Sequence, residues 1–204
     1  MYALIENNEI KKLYNNPRTL TIGDIQYPRS IFSLWTNEEK EAIGIYEVVF
    51  DNTNKKDEAY YINTNQSFNF ADGAVTASFG TATAKLLEDR NEVDEAGEPL
   101  LDDNGDQIVT KGLKSQKKDI IKSQASGLLA PTDWYVVKAS EVEDYSVPSN
   151  ITTFRSAVRA KSNEMETAID NAVDVDALKT LYTYTEQEDG SVTRPLGQFP
   201  TLED

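Results

Sequence analysis

The sequence predicts an α+β fold, in which a small antiparallel β domain with one short helix precedes a C-terminal helical hairpin module. Three observations support this prediction. Short stretches with β character in residues 1–87 are separated by turn pairs such as Asp72-Gly73, a strong hairpin signal. Apolar residues in 111–185 recur at helical spacing, and Pro131 divides that stretch into two helices. We therefore expect strands first and helices second.

The N-terminal elements follow from turn and capping signals. Asn7-Asn8 tolerates positive φ and separates two short β stretches, so a hairpin is expected there. Thr36 and Glu39 match a capping box, and Gly44 is a typical stop, so one short helix should lie between them. The stretch 45–50, IYEVVF, then predicts a strand.

Residues 88–110 contain a short internal repeat, VDEAGEPL followed by LDDNGDQI. Each unit places acidic residues before a glycine, which is typical of a tight turn. The spacing of Asp102, Asn104 and Asp106 resembles a calcium loop, but Gln107 and Leu113 stand where an EF-hand needs glycine and glutamate. We predict an exposed, mobile two-turn arm, or linker, with no bound metal.

The C-terminal elements are predicted to be mainly helical. A helix over 112–129 should end before Pro131, and an extended segment is expected at 134–137. A second helix capped by Ser149 or Asn150 should follow, and a short third one capped by Asp176. Residues 186–204 are expected to form an extended tail that lies on another surface or is disordered.

Composition narrows the range of functions. The chain of 204 residues has no cysteine and no histidine. This excludes disulfides, thiolate ligands, histidine-dependent zinc sites and histidine-based triads within it. Carboxylate, lysine or tyrosine chemistry remains, and a glycosidase-like carboxylate pair is the enzymatic alternative. No acid in the sequence has an apolar context that suggests a raised pKa, so we predict a protein that is not an enzyme and has no cofactor or small-molecule substrate.

Charge is unevenly distributed. The net charge is −15, which argues against nucleic acid as a partner. Residues 88–106 hold nine acids and one arginine, whereas residues 111–122 hold five lysines and one aspartate. The acidic arm could dock on a basic neighbour, or it could be a solvated excursion before a helix with a hydrated lysine face. With no apolar run long enough for a bilayer and no signal-peptide pattern, we expect no membrane partner and synthesis in a cytoplasm.

Two motifs carry a resemblance to a known group of proteins. The first is SGLLAPTDW at 126–134 followed by Phe154-Arg155-x-x-Val158-Arg159, and the second is WTNEEKEAIGIY at 35–46. Together they resemble tail-fibre and tail-assembly proteins of tailed bacteriophages, including cyanophages. Val158 stands where these proteins usually have leucine, and lysines of the first helix stand where they often have arginine. The resemblance covers roughly residues 1–50 and 111–184.

The resemblance implies a structural component of the virion, located in the tail, baseplate or tail-fibre attachment. Its partners would be other phage structural proteins in a symmetric assembly. The alternative is an assembly chaperone that is not retained in the particle; a charge of −15 suits a soluble helper of a sticky client. Candidate partner-binding residues are Lys114, Lys117, Lys118, Lys122, Arg155, Arg159, Asp102, Asp103, Asp106 and Phe199.

Trp134 has two interpretations at this stage. It could fold back over Leu128 and Leu129 and pack on Phe154, burying on the order of 200 Å² of aromatic surface. It could instead face a partner, as tryptophan often does at interface hot spots. Asp133 is expected to cap a turn or to pair with Arg155 or Arg159.

Overall fold

The chain divides into two units in a computed structural model that describes residues 1–202. The first unit is Met1–Thr83 and the second is Ala84–Asp204. The boundary precedes the predicted one by four residues, and the arm and the tail belong to the second unit. The α+β fold class is confirmed, with strands in the first unit and long helices in the second.

The first unit is built on a five-stranded sheet with the order β2-β1-β5-β8-β7. Its strands and two short helices are β1 Tyr2–Glu6, β2 Glu9–Tyr14, β3 Leu20–Ile22, β4 Ile25–Tyr27, α1 Ile31–Leu34, α2 Asn37–Glu41, β5 Ile45–Asp51, β6 Tyr61–Ile62, β7 Ser67–Ala71 and β8 Ala74–Ser78. The neighbouring strands are antiparallel except for β5 and β8, which pair in parallel. The sheet is thus mixed, and α1 is a short helix beyond the one predicted.

Local signals explain most of this unit. Asn7 and Asn8 both have positive φ in the β1–β2 turn, and the capping box at Thr36 and Glu39 starts α2. Gly44 adopts φ +81 next to the carbonyl oxygen of Ile5, which a Cβ at this position would approach to 2.6 Å. Only glycine fits there without strain.

The sheet of the first unit is covered on both faces. Successive residues of β1 point in opposite directions, so Leu4 packs with Phe32 and Ile45. Ala3 packs on the other face with Val48 and Val75. This explains the unbroken apolar run Ala3–Ile5, because a strand buried on both faces does not alternate.

The second unit consists of an arm, four helices and a terminal hairpin. A short strand, β9 Thr83–Ala84, lies at the boundary between the units. The arm is closed by β10 Arg90–Asn91 and β11 Val109–Thr110, and the helices are α3 Leu113–Leu129, α4 Asp133–Glu141, α5 Ser149–Asp170 and α6 Val175–Tyr182, followed by β12 Thr185–Glu186 and β13 Val192–Thr193. The two long helices α3 and α5 pack on each other as the predicted hairpin.

The apolar stripe of α5 forms the centre of this unit. Val158, Met165 and Ile169 are each at most 1% exposed. From α3, Ile121 is equally buried, and α6 contributes Leu178. The predicted stripe on the second helix is therefore core, as its 3–4 spacing indicates.

Three local expectations for this unit are wrong. Residues 134–137 are helical in α4, because Pro131 occupies the first turn of a 3-10 helix that leads directly into it. Asp174, not Asp176, caps α6 by accepting from the amide of Ala177. No side chain caps α5, which is preceded by Pro148, so the expected cap by Ser149 or Asn150 is wrong as well. The tail contributes to the β12–β13 hairpin and buries Leu196.

Candidate interaction surfaces

The lysine face of α3 lies against other parts of its own unit. Lys114 donates to the Asp170 carbonyl at 2.9 Å and pairs with Glu88. Lys118 contacts the Asp170 carboxylate at 2.7 Å, and this hydrogen bond raises the pKa of Lys118. The other two lysines behave similarly: Lys122 lies 3.4 Å from Glu166, and the Lys117 ammonium lies 4.9 Å from the centre of the Tyr182 ring.

These contacts account for the position of each lysine without another protein. Lys114 is 9% exposed and satisfies its ammonium inside the unit, so the interpretation of a fully hydrated lysine face does not hold for it. An interfacial role for Lys117, Lys118 and Lys122 stays a prediction. All four lysines join α3 to the arm, α5 or α6.

Arg155 is the polar centre of the junction between α3 and α4. Its Nη1 atom donates to the Leu129 carbonyl at 3.1 Å, to Thr132 Oγ1 at 2.6 Å and to Asp133 Oδ1 at 2.7 Å. The predicted pairing of Asp133 with Arg155 is thus confirmed. Arg155 is only 9% exposed, so little of its charge faces solvent. Its guanidinium mainly donates to hydrogen-bond acceptors at the end of α3 and in the turn that follows.

Arg159 is placed differently. It follows Arg155 by one helical turn, and its Nη1 atom donates to the Arg155 carbonyl at a long distance of 3.5 Å. Within residues 1–202 it forms no ion pair of 4.0 Å or less. It lines two neighbouring open clefts, one shared with Lys122 and Asp133 and the other with Val136.

Helix α4 exposes an apolar surface. None of its nine residues is buried. Trp134 is 51% exposed and stacks on Tyr135 with a centroid distance of 3.8 Å. The predicted packing of Trp134 on Phe154 is wrong, because the helical path of α4 carries the indole away from that residue. Phe154 instead packs with Ala125, Val158 and Phe199.

The arm is ordered by its own hydrogen bonds. Asp94 and Asp102 occupy equivalent places in the repeat, and each carboxylate accepts from the backbone amides two and four residues ahead. These bonds from the Asp106 and Asn104 amides lower the pKa of Asp102. The two predicted turns are therefore confirmed, and each is an Asx-type turn closed by a glycine with positive φ.

Three backbone hydrogen bonds, arranged in a closed cycle, join the two turns. The Leu100 amide donates to Glu92, Ile108 donates to Leu100, and Glu92 donates to Ile108. Gln107 Nε2 lies within 2.7–3.0 Å of all three of these carbonyl oxygens. Hydrogen bonds thus link the two eight-residue repeats to each other. Gln107, which stands where an EF-hand needs glycine, lies at the centre of these bonds.

The arm presents acids and apolar side chains together. Asp102, Asp103 and Asp106 are exposed, and Asp102 Oδ1 is used in the turn. Val93, Leu100, Leu101, Ile108 and Val109 are 41–56% exposed. Among the described residues no group of three or more acids is arranged to hold a metal ion.

Phe199 lies on the helical core and not on an open surface. It is partly buried against Ala125, Phe154, Val158 and the leucines at the end of α3. Its predicted role in partner binding stays a prediction, but its position is explained by packing.

Val136 and Val137 were not identified as candidate residues from the sequence. If the run Trp134-Tyr-Val-Val137 is taken as helical, however, several of its four side chains must face solvent. That pattern indicates an exposed apolar surface on this helix.

No known protein family, curated protein or solved structure matches this chain. No helix among residues 1–202 has both the length and the apolar character required to span a bilayer. These surfaces and the sequence motifs are therefore what bears on the function of the protein.

Proposed function

We propose that the protein is a structural component of a tailed-bacteriophage virion, an adaptor in the tail, baseplate or tail-fibre attachment that acts through protein–protein contacts. The exposed apolar face of α4 is the observation that carries the interaction role. A helix of nine residues is marginal in water, and one that buries none of its residues has an unused packing surface. The phage setting is supported by the motifs at 35–46 and 126–159.

The chemistry of the surfaces favours binding over turnover. The clefts beside α4 are open, and their lining combines valine, arginine, serine and threonine with a single acid, Asp133, that is paired to Arg155. Glycoside hydrolysis needs two carboxylates about 5–10 Å apart around the substrate. These clefts do not supply such a pair, and a contact surface is the better interpretation.

A chaperone for a tail fibre is the second candidate. Two features favour it, the apolar α4 face and a net charge of −15 that keeps a client-binding protein soluble. Such a protein would bind its client during assembly and leave before the particle is complete. Its site of action would be the infected cell rather than the virion.

Peptide counting on gradient-purified particles of the encoding phage distinguishes the two roles. A structural component is expected in intact particles at a constant ratio to known tail proteins. Absence from particles, with loss of fibre folding when the gene is deleted, would support the chaperone. Absence without any defect in tail or fibre assembly would overturn both.

The α4 face can be tested in the same phage with a matched pair of variants. Val137→Asp places a charge on this face and is expected to reduce incorporation or infectivity at least tenfold. Val173→Asp is the control, because Val173 is 85% exposed and lies outside α4. Equal effects of the two variants would contradict an interface at α4.

A further inference from the structure

The cleft between α4 and α5 combines an apolar wall with an unused positive charge. It encloses about 330 Å³ and is lined by Val136, Val147, Thr152, Arg155, Ser156 and Arg159. Arg155 is already paired with Asp133, whereas Arg159 forms no ion pair within residues 1–202. A guanidinium has five N–H donors and fits a carboxylate through two parallel hydrogen bonds. The cleft is thus suited to an acidic group next to an aliphatic one.

The adjoining cleft has the same sign of charge. Its lining includes the cations Lys122, Arg155 and Arg159 and the acid Asp133. Arg155 is paired with Asp133, and Lys122 lies 3.4 Å from Glu166. Arg159 is therefore the cation of this lining that no ion pair within residues 1–202 neutralises. Arg159 lines both clefts, so it marks the centre of the positive region.

The second turn of the arm has the complementary chemistry. Leu101 is 56% exposed and is followed by Asp103 and Asp106. The turn is held in shape by the Asp102 carboxylate and by Gln107, so little conformational entropy remains to be lost on binding. An exposed leucine beside two carboxylates matches a cleft that pairs Val136 with Arg159.

We propose that this protein associates head to tail, with the arm turn at 101–106 of one copy docked in the α4–α5 cleft of a second copy. Leu101 would pack against Val136 and Val147, while Asp103 or Asp106 would meet Arg159. Both halves of the contact are exposed in every copy, which is what a heterologous interface requires. The contact leaves one arm and one cleft free in a dimer, so it propagates into a ring or a filament.

This contact uses Val136 of α4 and does not depend on where the protein acts. Mass in solution tests self-association, whereas particle composition tests the proposed function, so either can fail alone. The ionic strength has to be chosen with care. At about 0.1–0.15 M salt the Debye length is about 8–10 Å, which screens the long-range repulsion of two anionic copies more than the short arm–cleft contact.

The experiment mixes two variants of the full chain that are each defective in one half of the contact. Asp103→Arg/Asp106→Arg alters the arm, and Arg159→Glu/Val136→Asp alters the cleft. In light scattering coupled to size exclusion, the wild-type chain of 22.8 kDa is expected to form dimers or larger species, and each variant alone to be monomeric. In an equimolar mixture, one pairing places the intact arm of the cleft variant against the intact cleft of the arm variant.

The mixture can therefore form one contact between two wild-type surfaces. The expected product contains both variants at a 1:1 ratio, with a heterodimer of twice the chain mass as its smallest species. Further growth requires the weaker contact between the reversed arm and the reversed cleft. A chain that carries Asp103→Arg, Asp106→Arg and Arg159→Glu together should regain part of the self-association through reversed charges.

The variants must first be shown to fold. Circular dichroism must show wild-type helix content in every variant. Glu186→Arg/Glu188→Arg and Arg29→Glu/Val173→Asp are matched controls on exposed positions and should leave the oligomer intact. A wild-type chain that stays monomeric at every concentration, or an oligomer that both defective variants retain, would overturn the proposal. A mixture in which both variants remain monomeric would do the same.

Discussion

At the scale of single residues, the pairing of Arg155 with Asp133 was predicted, whereas the other contacts of Arg155 were not. The sequence indicated an arginine one turn from another on an amphipathic helix, with Asp133 as a possible partner. It did not indicate that Nη1 would also donate hydrogen bonds to the Leu129 carbonyl and to Thr132 Oγ1. These acceptors lie at the start and at the end of the 3-10 turn that contains Pro131. The geometry of that turn cannot be inferred from the spacing of residues along α5.

Arg155→Met is expected to destabilise the helical unit by about 2–3 kcal/mol, because three acceptors lose a charged donor and two of them are enclosed. Asp133 is 59% exposed and can return to water, which limits the loss. Urea unfolding followed by helical circular dichroism measures the effect. Arg155→Lys should recover only part of it, since an ammonium cannot reproduce the planar geometry of the guanidinium.

Arg159→Met is the matched control for this measurement. Its one long hydrogen bond predicts a change of less than about 1 kcal/mol. If Arg155→Met and Arg159→Met had equal effects on the free energy of unfolding, the role of Arg155 as the centre of this junction would be contradicted. The same pair separates stability from association, because Arg159 is the residue assigned to the interface.

At the scale of elements, the turns and the cap of α2 were predictable, whereas the cap of α6 and the path through Pro131 were not. Asn7-Asn8, Thr36 and the arm repeat are local signals whose geometry depends on adjacent residues. Trp134 was misplaced because a proline usually ends a helix, whereas here it starts a new turn that α4 continues. Without that turn the indole was expected inside, and the exposed α4 face was not foreseen.

The arm is expected to lose its second turn in acid. The pKa of Asp102 is lowered by hydrogen bonds from the Asp106 and Asn104 amides, so its carboxylate contributes stability above the unfolded value of about 3.9. This contribution is lost as the pH falls through the lower folded value. Amide resonances of Asn104 and Asp106, followed by NMR from pH 6 to pH 2, should shift toward disordered values below about pH 4.

Two variants separate the charge from the turn geometry. Asp102→Asn keeps a side-chain oxygen acceptor and should hold the turn. The amide resonances of Asn104 and Asp106 should then not move toward disordered values as the pH falls. Asp102→Ala removes the acceptor and should disorder the turn at every pH. A wild-type titration curve in Asp102→Asn would show that Asp102 is not the responsible group.

At the scale of the whole molecule, the order of classes was predictable because hydrophobic periods of two and of 3–4 occupy different parts of the chain. Two long-range features were not. The parallel pairing of β5 with β8 joins strands between which β6 and β7 lie in the sequence, and no local signal specifies it. The return of the tail onto the helices places Leu196 at 1% exposure, although the surrounding Pro and Gly residues suggested an extended segment.

The tail provides a test of how the second unit is completed. Residues 84–204 contain their own core, with Ile121, Met165 and Leu178 buried among its helices, and we expect them to fold alone with a cooperative helical transition. Leu196 donates its amide to the Leu181 carbonyl at 3.0 Å and is 1% exposed. Burying a leucine contributes about 1.5–3 kcal/mol, which is a shift in Tm of several degrees for a unit of this size.

Ending the chain at residue 185 should therefore lower the Tm of this unit by at least about 4 °C, and Leu196→Ala in residues 84–204 should give a similar decrease. Leu202→Ala is the matched control, because Leu202 is 44% exposed and should change the Tm by less than about 1 °C. Thermal circular dichroism of the four chains makes the comparison. Equal Tm values with and without the tail would mean that Leu196 does not stabilise the helical core, and an absent cooperative transition in 84–204 would contradict independent folding.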